Sequence, residues 1–148
     1  MHFSRLSHTF YEDYTNCREI LTKEERPYYV LLVEVQSLTF AIPLRSHIHH
    51  PYCFLAASSD VDNSGLDFSK AVVITDIPLY VDPAPVTIRQ DEFDIFKTHE
   101  FQIKQKFERY VKEYKKKVER RSKNPALPED SLCRYSALQY FHKELGLT

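Results

Sequence analysis

Six residues near the middle of the chain have side chains suited to chemistry: Arg45, Ser46, His47, His49, His50 and Cys53. RNA can be cut by its own 2′-hydroxyl, so a protein that promotes this needs no nucleophile of its own. It has to hold the phosphate in line, move two protons and stabilise the charge that develops on phosphorus. Arginine suits the last task, because its guanidinium fork pairs with phosphate oxygens two at a time. Histidine titrates near neutrality and suits proton transfer. A serine hydroxyl can donate a hydrogen bond to a non-bridging oxygen. Arg45-Ser46-His47 supplies all three types in succession. On residue chemistry alone the same run better suits an exposed polar turn.

Other chemistries find less support. His47, His49, His50 and Cys53 fall within seven residues, but a zinc site usually draws on two separated ligand pairs and no second pair occurs. No metal and no cofactor are expected. Cys53 beside His50 would need an acid to orient the histidine, and none is placed by the sequence. The phosphate-binding, dinucleotide-binding, serine-hydrolase and zinc-protease motifs G-x-x-x-x-G-K-[ST], G-x-G-x-x-G, G-x-S-x-G and H-E-x-x-H are all missing.

The residues that must position this cluster lie just before it, in PYYVLLVEVQSLTFAIPLRSHIHHP (27–51). Residues 28–35 form a nearly continuous β-branched and aromatic run, which predicts a strand buried on both faces. Gln36-Ser37 supplies a turn. Leu38, Phe40, Ile42 and Leu44 then alternate with Thr39, Ala41, Pro43 and Arg45, the pattern of a half-buried strand. Pro43 suggests an edge or a bulge. In such an antiparallel pair Arg26, at the start, lies beside Arg45-Ser46-His47 at the end.

The other elements are read around this hairpin. Residues 2–6 suit a short first strand. Ser7 or Thr9 can cap a helix over 10–21, with Glu12 and Asp13 in its first turn, and the run before Pro27 ends it. Strands are expected at 52–57, 70–75 and 86–89, with a polar loop at 58–65 in which Gly65 takes a positive φ. The periodicity then changes. A short helix suits 91–96, and Thr98 can cap a long one running to about 121. On that helix Ile103, Phe107, Tyr110, Val111, Tyr114 and Val118 form one stripe. After a linker at 122–128, Asp130 or Ser131 caps a final helix that Gly146 ends. Strands in one block with helices on either side indicate an α+β fold, a strongly curved antiparallel sheet or small open barrel.

The 148 residues suit one domain. No apolar run approaches the roughly 20 residues that span a bilayer, and the first residues carry acids where a signal peptide would be apolar. Three unpaired-looking cysteines fit a reducing, cytoplasmic setting. Charge is uneven. From residue 97 to 123 eleven Lys and Arg stand against four Glu, a balance of +7, and the remainder holds nine against seventeen acids, a balance of −8. A basic element on an acidic body is the footprint of a polyanion partner, or else a solvated helix face.

Three segments carry a resemblance: FYEDY near the start, RPYYVLLVEVQSLTFAIPLRSHI, and SGLDFSKAVVITD. Together they resemble the toxins of type III toxin–antitoxin systems, the ToxN/AbiQ family, with the TenpN branch nearest. The resemblance implies a MazF/Kid-like curved sheet flanked by helices, with a long basic helix and a C-terminal helix. It implies a metal-independent endoribonuclease that leaves a 2′,3′-cyclic phosphate and acts in growth arrest during phage infection. The implied partners are a structured, repeat-derived small RNA antitoxin, of the pseudoknot kind, held in a protein–RNA hetero-oligomer, and messenger RNA as substrate. The family's site maps onto Ser46, with Arg45 in place of a threonine and Arg26 in place of a lysine. A further family lysine meets Ile48, a departure for which His47 is the candidate substitute. Lys104, Lys106, Arg109 and Tyr110 of the long helix, with Lys70 and Tyr28, are the implied RNA contacts. Read without the resemblance, the residues also allow a non-catalytic RNA-binding module or a domain whose basic helix meets an acidic protein.

Overall fold

The structure is a computed structural model and describes residues 1–21, 29–56 and 63–147. Its strands are β1 (His2–Leu6), β2 (Tyr29–Val35), β3 (Leu38–Arg45), β4 (Cys53–Leu55), β5 (Gly65–Asp67), β6 (Val72–Val73) and β7 (Val81–Asp82). They make one sheet in the order β4-β5-β3-β2-β1-β7, with β6 beside β3. Every pairing is antiparallel. Helices α1 (His8–Asp13), α2 (Ile77–Tyr80), α3 (Gln90–Thr98), α4 (Glu100–Lys123) and α5 (Ser131–Arg134) complete an α+β fold. The sheet ends at β4 on one side and β7 on the other and is not closed. Among the described residues no helix is long and apolar enough to cross a membrane.

The β2–β3 hairpin forms as its sequence suggests. Gln36 (φ 53°) and Ser37 (φ 67°) both take left-handed conformations, the twist that a two-residue hairpin turn requires. The register runs from Val35 opposite Leu38 to Val30 opposite Pro43. Burial is the reverse of the expectation. β3 is buried on both faces at Phe40, Ala41 and Ile42, whereas β2 is partly exposed at Leu32, Val33 and Glu34. The reason is position: β3 pairs with β2 on one side and with β5 and β6 on the other. Pro43 falls where that second side passes from β6, opposite Phe40 and Ala41, to β5, opposite Leu44 and Arg45.

Helix α4 covers the Phe40 face. Ile103, Phe107, Tyr110, Val111 and Tyr114 are all buried, and the Phe107 ring meets Phe40 and Phe68 edge-on at 5.2 and 5.4 Å. Ala41 and Pro43 face Leu6, Phe10, Ile20 and Val30 on the opposite side.

Several local expectations are corrected. Gly65 does not have a positive φ; it is needed because a Cβ there would sit 2.1 Å from the Phe54 carbonyl oxygen. No strand forms at 86–89, and Val81–Asp82 pairs with β1 instead. Helix α1 is only 6 residues long, so Glu12 and Asp13 lie at its end. The Thr98 hydroxyl donates back to Asp94 within α3, leaving α4 without a side-chain cap. The single C-terminal helix is replaced by α5, a 3-10 turn at Ala137–Tyr140 and a last turn. Ser136 makes the break. Its buried hydroxyl oxygen accepts the Leu138 N–H at 3.2 Å and the Tyr110 hydroxyl at 2.8 Å, so it caps a new segment rather than extending the old one. Gly146 (φ 74°) closes the last turn: its N–H bonds Lys143 and that of Leu147 bonds His142, the pairing of a Schellman motif.

Candidate functional site

The end of β3 is fixed by β5. The Arg45 Nη1 donates to Asp67 Oδ2 at 2.7 Å. The carboxylate has no exposed surface, while the arginine side chain keeps 30% of its own. Asp67 is held inside because its neighbours Leu66 and Phe68 are core residues and because it caps the 3-10 turn that follows. The Ser69 N–H and hydroxyl donate to Oδ1 at 3.0 and 2.6 Å. A buried carboxylate demands such partners, since removing an ion from water costs several kcal/mol.

His50 completes the cluster. Its Nδ1 accepts the Tyr52 N–H at 3.1 Å, which places the neutral ring's proton on Nε2. That Nε2 lies 3.1 Å from Asp67 Oδ1 and 3.3 Å from the Ser69 hydroxyl. Both ring nitrogens are therefore occupied: with the Ser69 hydroxyl proton given to Asp67, the His50 Nε2–H donates to the Ser69 hydroxyl oxygen. Arg45, engaged through one nitrogen, retains the rest of its fork for a ligand.

The histidine cluster splits. Ser46 and His47 are exposed where the chain leaves β3, and His47 turns it with a left-handed φ of 57°. Ile48 is buried and its N–H bonds the Asn63 carbonyl, which anchors the turn. His49 points outward and His50 inward. Among the described residues no group of three His, Cys, Asp or Glu could hold a metal ion. The Cys53 thiol donates to the His50 carbonyl at 3.3 Å, and burial raises its pKa, the wrong direction for a nucleophile.

Arg26 and Tyr28 lie outside the described residues. The helix residues divide. Lys104 and Arg109 are exposed. Lys106 donates to the Cys53 carbonyl at 2.7 Å, one strand away from Asp67. Tyr110 is a core residue, packed against Phe68, Phe107 and Tyr52, and burial raises the pKa of its hydroxyl. It offers no stacking face, which corrects its expected role. Lys70 is also engaged internally, to Glu19 at 2.7 Å and the Tyr135 carbonyl at 3.0 Å.

Sequence reasoning missed Asp67 and Ser69 and gave His50 no role beyond the cluster. One signal was present. In Asp67-Phe68-Ser69 an Asp stands two residues before a Ser, the spacing at which a carboxylate accepts the backbone N–H ahead of it. Comparison with protein-family models, curated proteins and solved structures finds no match to this chain.

Proposed function

We propose that this protein is a metal-independent endoribonuclease of the type III toxin class, with its site at the end of β3. The observation that carries the reading is the Arg45–Asp67 pair: a buried carboxylate holds a half-exposed guanidinium beside an exposed serine and histidine. The three resembling sequence segments support the same reading, and a MazF/Kid-like curvature of the sheet belongs to it.

In the reaction the 2′-oxygen attacks phosphorus as its proton passes to a base, for which exposed His47 is the candidate. The new 2′-O–P bond forms, the P–O5′ bond breaks, and the 5′-oxygen takes up a proton. The products are a 2′,3′-cyclic phosphate and a 5′-hydroxyl. Arg45 carries the charge of the phosphorane, where a fixed cation is worth most. Ser46 donates to a non-bridging oxygen. Asp67, His50 and Ser69 hold Arg45 in place and stay outside the proton transfers. The exposed cations of α4 guide the strand, and a structured RNA antitoxin would occupy the same surface.

Incubating the purified protein with single-stranded RNA in excess chelator tests this. Cyclic-phosphate ends that vanish in Arg45→Ala support the enzyme. RNA retained intact would instead support a binding module, a reading that the exposed Lys104 and Arg109 favour by themselves.

A further inference from the structure

A second cleft among the described residues lies elsewhere. It encloses about 640 Å³ between the last turns of α4, the segment 124–130 and the C-terminal turns. Its volume is that of a small-molecule site. The outer wall is tied to α4 at two points: Arg121 Nε donates to the Leu127 carbonyl at 3.2 Å, and Lys117 Nζ meets Asp130 Oδ2 at 2.7 Å. The cleft is thus preformed.

Its polar groups have defined roles. Tyr114 Oη lies 2.7 Å from His142 Nε2. Burial raises the tyrosine pKa and lowers that of the histidine, so the hydroxyl keeps its proton and donates it to a neutral ring. The ring proton then sits on Nδ1, a donor. Three residues earlier, Gln139 spends its amide nitrogen on the carbonyls of Arg134 and Ser136, at 3.1 and 2.8 Å. What remains to it is an acceptor oxygen. Apolar Val118, Leu127 and Pro128 complete the interior. At the cleft the Arg120 side chain has no hydrogen-bonding or ionic partner among the described residues, and with Arg121 it outweighs Glu129. The Lys117–Asp130 pair is internally neutral.

We propose that this cleft binds a nucleotide: a planar heterocycle with adjacent donor and acceptor, read by Gln139 and His142, and a phosphate held by Arg120. Either a free mononucleotide or the phosphorylated end of an RNA has this chemistry. The proposal does not rest on the reading of the Arg45 site.

Titration of adenosine 5′-monophosphate into the full chain, followed by calorimetry and by NMR of the His142 ring, tests it. Binding at about 1 mM or tighter is expected, with His142 resonances shifting and affinity falling about tenfold in Arg120→Glu, an exposed position whose replacement leaves the fold intact. A short RNA with and without a 5′-phosphate separates the two sources. Dependence of its binding on both that phosphate and Arg120 assigns the RNA end; binding of the mononucleotide alone assigns the free ligand. Failure of both ligands to bind overturns the proposal. So does nucleotide affinity that survives Arg120→Glu but is lost in Arg45→Ala, because the ligand then sits at the end of β3.

Discussion

Arg45 and Asp67 are 22 residues apart in sequence and 2.7 Å apart in space. The carboxylate is completely buried and shared with Ser69 and His50. Arg45→Ala should therefore destabilise the protein by about 3 kcal/mol, the cost of leaving a buried carboxylate without its cation, and abolish RNA cleavage. Asp67→Ala should abolish cleavage at a smaller cost in stability from the ion pair, since the arginine it leaves unpaired keeps 30% of its side-chain surface exposed. Urea unfolding and cleavage assays of both variants check this, and full cleavage by a folded Asp67→Ala variant would deny Asp67 its clamping role.

Ser46→Ala should separate activity from folding. The residue is exposed, so stability should stay within about 0.5 kcal/mol of the parent. Growth inhibition on expression should disappear. Undiminished toxicity in a folded variant removes Ser46 from the mechanism.

At Gly65 the expectation concerns fold alone. A methyl group would meet the Phe54 carbonyl oxygen at 2.1 Å and the Leu55 Cα at 2.7 Å. Because both are backbone atoms, Gly65→Ala must push β4 away from β5, at a cost of about 1–3 kcal/mol. Thermal denaturation would read it, and an unchanged midpoint would mean that this strand pairing is looser than described.

Acid should weaken the C-terminal packing. Burial lowers the His142 pKa below its ordinary 6.5, so the folded state resists a proton that the unfolded chain accepts. The unfolded state then binds more protons as pH falls below about 6.5, and stability drops until the folded pKa is reached. Denaturant midpoints at pH 7.5 and 5.5 should differ less in His142→Phe than in the parent. An identical difference would assign the acid sensitivity to another group.

Lys104 and Arg109 are exposed on α4 and should act on RNA as phosphate contacts. Replacing either with alanine should lower affinity on all sequences alike and reduce the slope of log affinity against log salt by about 1. Filter binding across a salt series measures this; an unaltered slope would take the residue off the RNA path.

The hairpin and α4 were legible because each is a local periodic pattern. Alternation from Leu38 to Arg45 marked the strand, though its burial on both faces was set by its neighbours, and the stripe from Ile103 to Tyr114 forms the buried face of α4 as read. The short elements were not legible. β5 and β7 have 3 and 2 residues, too few to show a period, and they exist because a neighbouring strand supplies their hydrogen bonds; the strand expected at 70–75 forms only at Val72–Val73.

The amino-acid sequence by itself determined the hairpin, its Gln36-Ser37 turn, the apolar and basic faces of α4, and the exit of Arg45-Ser46-His47 from a strand end. Only the tertiary structure decided what those residues meet. It turned His50 inward and left His47 and His49 outside, buried Asp67 beneath Arg45, withdrew Tyr110 into the core and opened the cleft around His142. The physical reason is that a local pattern specifies a face but not its partner. The partner of Arg45 was chosen by the pairing of β3 with β5, a long-range contact whose hydrogen bonds no stretch of sequence announces.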